Sequence, residues 1–363
     1  MKVVLSGGGT GGHIYPAIAI ADKIKKEYPE AQILFIGTKN GLESQLVPKA
    51  GYQIKTITVQ GFQRKISIEN IKRVGKLLLG LKDAKKILKE FQPDLVIGTG
   101  GYVCGPVIWN GAAMGIKSIR HEQNAFPGIT NKILGKKVDR ILTSFREADK
   151  YFENRSKIVL TGNPVRPEIY SMTREEARKK LNISNDEKYI LSVGGSGGSS
   201  KINNSFLDMM PILEKKNIRY LHVTGKNHYS AFLEKLGENF YEKGEVRSYL
   251  DEVALHLSAC DLIICSAGAI TLAEVASCGR ASIVIPKAYT AENHQEYNAK
   301  TIESSGAGYA ILEKDLNAEV LLEKINEVFE NRKQEEMELK SKELSSERAL
   351  DKIYQEIKNI MKI

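Results

Sequence analysis

Residues Gly7-Gly8-Gly9-Thr10-Gly11-Gly12-His13 put five glycines, a hydroxyl and an imidazole where a short apolar run meets an amphipathic one. Gly7, Gly9 and Gly12 satisfy the GxGxxG spacing, in which glycines let an anion approach the backbone N–H groups of a helix N-terminus. A plain strand-to-helix turn needs one or two glycines, so this density points to a phosphate group. A dinucleotide would also need an acid closing the second strand, about 20 residues past the loop. That strand runs out in Ile36-Gly37-Thr38-Lys39-Asn40, which argues against hydride transfer. Two further runs, Gly194-Gly195-Ser196-Gly197-Gly198-Ser199 and Ser266-Ala267-Gly268-Ala269, have the same setting after an apolar run. Three such loops suggest one anionic ligand held between two lobes. With no GxxxxGK[ST] in the chain, a P-loop NTPase is not expected.

Polar groups gather at five places. His13 opens a helix. His121-Glu122-Gln123-Asn124 ends a strand, and Asn163-Pro164-Val165-Arg166 sits at an expected lobe boundary. Glu274 follows Thr271 by three residues, and Asn293-His294-Gln295 lies in a loop. Each has an ordinary alternative. His13 could be a plain helix-start residue, Glu274 the capping-box partner of Thr271, and Arg166 an interlobe salt bridge. The HEQN run could be strand-end hydrogen bonding, and Gln295 a solvated loop residue. HExxH and EF-hand patterns are absent, so metalloprotease chemistry has no support.

The elements that must position these groups follow from the hydrophobic pattern. Short Val/Ile/Leu runs predict strands at Lys2–Ser6, Ile33–Ile36, Ile54–Thr58, Leu95–Gly98, Lys117–Arg120, Arg140–Thr143 and Ile158–Thr161. Amphipathic stretches predict helices at Pro16–Glu27, Gly41–Ala50, Ile68–Glu90, Gly105–Met114 and Gly128–Leu134. After Asn182 the pattern restarts, with strands at Tyr189–Val193, Arg219–Val223, Val246–Tyr249, Leu262–Cys265, Ser282–Ile285 and Gly308–Ile311. Its helices are expected at Ile202–Lys216, Tyr229–Leu236, Glu252–Ala259, Thr271–Ser277, Glu296–Ser304 and Ala318–Asn331. A charged amphipathic tail, Glu335–Met361, reads as one or two helices. Alternating strands and helices mean parallel sheets. The fold class is α/β: two doubly wound lobes facing each other across a cleft, with a boundary near Thr161–Pro167.

Length and composition agree. At 363 residues, with 42% hydrophobic and 27% charged, the chain has the make-up of an ordinary globular protein of about two domains. Its net charge of +9 is uneven: residues 1–165 hold 26 Lys/Arg against 13 Asp/Glu, and the remainder 27 against 31. The basic half calls for an anionic partner, whether nucleic acid, membrane or phosphorylated substrate. Arg64–Glu90 concentrates nine Lys/Arg against three Asp/Glu among Ile71, Val74, Leu77, Leu78, Leu79 and Leu81. Lys132, Lys136, Lys137 and Arg140 add a second basic cluster. An apolar patch ringed by bases suits an anionic membrane surface; the alternative is a solvated face over a buried leucine stripe. A nucleic-acid module would want aromatics interleaved with the bases, and only Phe91 lies just beyond the segment. The four cysteines form no metal or redox spacing and read as buried apolar residues. No spanning helix or secretory signal is expected, so the reading is cytoplasmic.

In order, GGTGGH at Gly8–His13, GGYVCGP at Gly100–Pro106, HEQN at His121–Asn124, GNPVR at Gly162–Arg166, GGSGG at Gly194–Gly198, GAIT at Gly268–Thr271 with Glu274, and HQEYNA at His294–Ala299 span nearly the whole chain. In these motifs the chain resembles the MurG family of UDP-N-acetylglucosamine:lipid I N-acetylglucosaminyltransferases. The resemblance implies a GT-B architecture of two Rossmann-like lobes, and an inverting transfer to the 4-hydroxyl of the muramyl sugar of lipid I, giving lipid II. It implies that residues 1–163 form the acceptor and membrane-binding lobe and residues 164–344 the UDP-sugar lobe, and leaves open whether a final helix, about 345–363, packs back on the first. In the second lobe, Ser196 and the amides of Gly268, Ala269, Ile270 and Thr271 would meet the donor pyrophosphate. Glu274 would accept from the ribose hydroxyls, and the backbone of Leu250 would meet the uracil edge. Arg166, Asn124 and Gln295 would line the donor site, Gln295 on the sugar. Thr10, Gly11 and Gly12 would hold the acceptor pyrophosphate, with His13 as candidate general base, a role suited to an imidazole pKa of about 6.5. The implied partners are UDP-N-acetylglucosamine, lipid I and the anionic cytoplasmic face of the cell membrane, with contact to other cell-wall synthesis proteins left open. No cofactor, metal or nucleic acid is implied. Two departures from the family pattern are glycine at Gly197 in place of glutamine and Ser266 in place of arginine. The alternatives are another GT-B enzyme, such as a diacylglycerol glycosyltransferase or a UDP-N-acetylglucosamine epimerase, and a basic nucleic-acid-binding protein.

Overall fold

The computed structural model of the chain describes residues 1–61, 68–195, 197–239, 241–345 and 347–363. Ser196, and Arg64 and Lys65 of the basic segment, lie outside the described residues. The chain divides into two compact units, one of Met1–Pro164 with Arg348–Ile363, the other of Val165–Glu347.

The first unit is built on a seven-stranded parallel sheet. Its strands are β1 (Lys2–Gly7), β2 (Gln32–Gly37), β3 (Gln53–Thr56), β4 (Leu95–Gly100), β5 (Lys117–Glu122), β6 (Arg140–Thr143) and β7 (Ile158–Leu160), in the order β3-β2-β1-β4-β5-β6-β7. Alternate residues of one strand serve different cores. Val3 and Leu5 pack with Ile14, Ala17, Ile20 and Ile24, whereas Val4 packs with Ala84, Leu88, Val107 and Ile108. Both faces are covered by helices, so the central strands β1 and β4 are apolar along most of their length.

The second unit repeats the plan with six parallel strands. These are β8 (Tyr189–Val193), β9 (Arg219–Val223), β10 (Gly244–Arg247), β11 (Leu262–Ser266), β12 (Ala281–Ile285) and β13 (Gly308–Ala310), in the order β10-β9-β8-β11-β12-β13. Here too Leu191, Ile263 and Cys265 face one core, and Ile190, Leu262 and Ile264 the other.

Several element bounds differ from the sequence expectation for physical reasons. The first helix is Gly11–Glu27, not Pro16–Glu27: Thr10 takes the extended N-cap conformation, its carbonyl accepts from His13 and Ile14 N–H, and the helix runs through Pro16. The helix after β11 is Ala269–Cys278, capped by Gly268, so Thr271 lies inside it and forms no capping box with Glu274. Strand β10 starts two residues earlier than expected, because its ladder to β9 runs from Gly244 opposite Tyr220 to Arg247 opposite Val223. The charged tail is two helices, Lys333–Glu343 in the second unit and Ala349–Met361 in the first. The latter buries Ile353 and Ile357 against Ile20 and Ile24, with Lys23 Nζ 2.7 Å from Asp351 Oδ1.

Candidate active site

In an open parallel sheet, ligands collect beyond the strand C-termini where the strand order reverses direction. The first unit reverses between β1 and β4, the second between β8 and β11. The glycine loops fall there: Gly7–Gly12 follows β1, Gly100-Gly101 ends β4, Gly194–Gly198 follows β8 and Ala267-Gly268 follows β11.

In the first unit, the loop is shaped by a residue that the sequence did not single out. Glu43 is 1% exposed. Its Oε1 accepts from Thr38 N–H at 2.9 Å and from Thr38 Oγ1 at 2.7 Å, and its Oε2 accepts from Gly9 N–H at 3.1 Å. A Cβ at Gly8 would lie 2.8 Å from that carboxylate. Part of the glycine density therefore serves packing of the loop on Glu43. Glu43 opens a short helix, where an acid ordinarily reads as solvated, so no local signal exposed it.

His13 is the third residue of its helix. Its Nδ1 lies 3.1 Å from Gly8 O and 3.3 Å from Thr10 Oγ1. A carbonyl oxygen can only accept, so Nδ1 carries the hydrogen in that contact and the ring's lone pair lies on Nε2. The imidazole packs on Gly100, whose φ is +139° and whose added Cβ would sit 2.2 Å from the ring. Thr10, Gly11, Gly12 and His13 thus form one continuous loop-to-helix segment.

The HEQN segment turns largely inward. His121, Glu122 and Gln123 are buried. His121 Nε2 lies 3.1 Å from Gly162 O, and Gln123 Nε2 3.1 Å from His121 Nδ1. The carbonyl takes a hydrogen from Nε2 and the amide gives one to Nδ1, an arrangement suited to neutral imidazole, and burial lowers the pKa to about 4. Glu122 accepts from Asn131 Nδ2 and from Asn124 N–H at 3.0 Å, while Arg120 donates to Asn131. Burial pushes the Glu122 carboxyl up, against the pull of Asn124 and Arg120. Three of the four residues therefore perform strand-end hydrogen bonding. Asn124, the member expected at the donor site, belongs to the first unit, and its Nδ2 donates to Glu122 Oε1 at 3.2 Å.

In the second unit, Arg166 Nε donates to Glu274 Oε1 at 2.7 Å. Both residues belong to this unit, so Arg166 makes a pair within one lobe. Glu274 is 5% exposed. Burial pushes its carboxyl up and the Arg166 guanidinium pulls it back. Gly268, Ala269, Ile270 and Thr271 span the N-cap and first turn of the helix Ala269–Cys278, whose first N–H groups have no acceptor within the helix. Leu250 is buried in the core, and its backbone N–H and C=O make no hydrogen bond among the described residues. Gln295 Oε1 accepts from Lys287 N–H at 2.9 Å. Ser266 Oγ donates to Gly194 O at 3.0 Å, a neutral contact between the β8 and β11 loops. Lys287 Nζ donates to Gly198 O at 2.6 Å; a lone lysine after a strand gave no sequence signal for that placement.

The first unit also exposes apolar surface. On the helix Ile68–Phe91, Ile71 is 71% exposed and Leu78 63%, with Val74 and Leu79 also outward. Trp109, Ile129 and Ile133 are exposed as well, and the helix Cys104–Ala113, carrying Trp109, packs against both neighbouring helices. Leu78 and Leu79 are exposed and Leu77 and Leu81 only partly covered, so these leucines are not a buried stripe; buried apolar side chains begin at Ala84, Ile87 and Leu88. The second basic cluster is partly neutralised. Lys136 pairs with Glu153 at 2.6 Å and Arg140 with Glu356 at 3.2 Å, while Lys132 and Lys137 sit over the rings of Phe126 and Trp109. Among the described residues, no helix is long and apolar enough to cross a membrane.

Residues 3–143 match the glycosyltransferase family 28 N-terminal domain, and residues 189–353 its C-terminal domain. The UDP-N-acetylglucosamine--N-acetylmuramyl-(pentapeptide) pyrophosphoryl-undecaprenol N-acetylglucosamine transferase of Alkaliphilus oremlandii is 50% identical over 363 residues, covering 99% of both chains. The protein of the same name from Clostridioides difficile is 51% identical over 364 residues, covering 99% of this chain and 89% of that one. Among solved structures, Acinetobacter baumannii MurG superposes with a TM-score of 0.79 at 25% identity, covering 99% of each chain.

Proposed function

The chain belongs to glycosyltransferase family 28 and, within it, to the MurG N-acetylglucosaminyltransferases; from that premise we propose how its two units divide the reaction. The enzyme takes N-acetylglucosamine from UDP-N-acetylglucosamine and transfers it to N-acetylmuramyl-(pentapeptide) pyrophosphoryl-undecaprenol, lipid I, giving lipid II for peptidoglycan. The observation that carries this reaction is half identity, over the full chain, to enzymes of that name.

The second unit takes the donor. The first-turn amides around Gly268–Thr271 receive the diphosphate, where the positive end of the helix dipole favours the charge that develops on leaving UDP. Glu274 accepts from the ribose hydroxyls, the Arg166 guanidinium opposing the effect of burial on its carboxyl. The unbonded backbone groups of Leu250 pair with the uracil edge, and Gln295 reaches the sugar. Ser196 and Asn124 keep their places as donor-site candidates.

The first unit takes the acceptor, its pyrophosphate at Thr10, Gly11 and Gly12. His13 acts as general base through Nε2. As the muramyl 4-hydroxyl oxygen bonds to the anomeric carbon, its proton passes to Nε2 and the bond from that carbon to the UDP oxygen breaks. One displacement inverts the anomeric centre. The apolar surface of Ile71, Val74, Leu78 and Leu79, with the lysines around it, lies against the anionic cytoplasmic face of the membrane that holds the lipid-linked acceptor.

Purified enzyme with labelled UDP-N-acetylglucosamine and a short-chain lipid I analogue tests the reading. It requires a β-linked disaccharide product with stoichiometric UDP. UDP binding without transfer would overturn the acceptor assignment, and a retained α-linkage would overturn the single displacement.

A further inference from the structure

Lys287 follows β12, and its ammonium reaches across to the glycine run after β8. Strands β8, β11 and β12 are neighbours in the sheet, so Lys287, Ser266 and Gly268 all stand at one C-terminal edge. Lys287 is half-buried, and Gly198 O is its ammonium's one hydrogen-bond acceptor among the described residues. No carboxylate there lies within ion-pair distance of it, and Glu313 Oε2 instead accepts from Ala288 N–H at 2.8 Å. A carbonyl orients an ammonium without neutralising it. Burial lowers the ammonium's pKa, while the more distant Glu313 raises it. A half-buried cation with two donors to spare and no carboxylate beside it suits an anion.

The described glycines of that loop leave room for one. A Cβ built on Gly195 would lie 3.9 Å from Lys287 Nζ, and one on Gly197 would meet nothing within 4 Å among the described residues. The backbone N–H of Lys287 holds Gln295 Oε1, which ties the cation to the residue placed on the donor sugar. Ser266, on the intervening strand end, adds no charge.

We propose that Lys287 is the cation that pairs with the diphosphate of the nucleotide-sugar donor in this enzyme. The proposal rests on the donor reading of the second unit and adds a residue to it. Lys287 is a binding residue for the leaving diphosphate, so it acts on donor affinity and on departure of UDP.

Titration calorimetry on the full chain with UDP and with uridine tests it. Lys287→Gln keeps a donor for Gly198 O and removes the charge. Loss of a charge-assisted phosphate contact predicts UDP binding weakened about tenfold to a hundredfold, with uridine binding unchanged and KM for the donor raised in parallel. Lys287→Arg should recover most of the affinity. Unchanged UDP affinity in Lys287→Gln, or equal weakening of UDP and uridine, overturns the proposal, the latter because it marks a loop brace. Failure of the unaltered enzyme to bind UDP would overturn the donor reading itself.

Discussion

Replacing Glu43 by alanine should loosen the acceptor loop and destabilise the first unit alone. The side chain accepts three hydrogen bonds, and its removal does not strand all three donors equally. Gly9 is exposed, so its N–H regains water at little cost, and the Thr38 hydroxyl can rotate to a new partner. The Thr38 N–H is buried, and a buried donor without a partner costs about 1–3 kcal/mol. With the loss of packing among Gly8, Gly37 and Gly41, the expected total is about 2–4 kcal/mol. The chain's single tryptophan, Trp109, lies in the first unit, so its fluorescence follows that unit through a urea titration. At a slope of about 2 kcal/mol per molar urea, the midpoint should fall by about 1–2 M. Glu43→Gln is the finer probe. Its carbonyl can keep both Thr38 contacts while its amide opposes the Gly9 N–H, so the midpoint should move less and transfer should still fall. UDP affinity, read in the second unit, should hold in both variants. An unshifted Trp109 midpoint in Glu43→Ala would refute the brace, as would an equal loss of UDP binding.

Other perturbations should separate the two units as clearly. His13→Ala should lower turnover by about 10²–10⁴-fold, the usual range for a general base, with UDP affinity unchanged; retention of most turnover would remove His13 from the role. Arg166→Ala should raise the donor KM and make it rise further as pH falls: Glu274 then loses its counter-cation, its already raised pKa climbs, and the ionised acceptor is lost at higher pH. A KM that stays flat with pH would contradict this. His121, at about 4 in the folded chain against an ordinary 6.5, takes up a proton only on unfolding in that window. The first unit should therefore lose stability as pH falls from about 6.5 towards 4, by about 3 kcal/mol. The Trp109 urea midpoint of the unaltered enzyme should show that extra slope relative to His121→Gln. Leu78→Glu with Leu79→Glu should abolish sedimentation with anionic vesicles at low salt and leave the Trp109 midpoint in place, since both side chains are outward; undiminished sedimentation would discard the membrane surface.

The alternation of apolar runs and amphipathic stretches located the strands of both sheets, because a strand buried on two faces is mostly apolar. Helix starts were less legible. Pro16 looked like a first helical position, but Thr10 takes the cap because the glycine run itself enters the helix. Thr271 and Glu274 fit a capping-box spacing, yet Gly268 caps the helix and Glu274 turns to Arg166. Local spacing cannot show a partner more than a hundred residues away.

The amino-acid sequence alone determined the two-lobed α/β plan, the placing of glycine runs at strand ends, and the family signature, all of which rest on local pattern and motif order. Only the tertiary structure decided which polar groups serve the site and which serve the scaffold. It turned His121, Glu122 and Gln123 inward and set Glu43 beneath the first loop. It also set the Lys287 ammonium on the second loop, and seated the last helix on the first unit through Ile353 and Ile357. Those outcomes depend on burial and on contacts between residues far apart in sequence, which exist only once neighbouring strand ends are brought side by side.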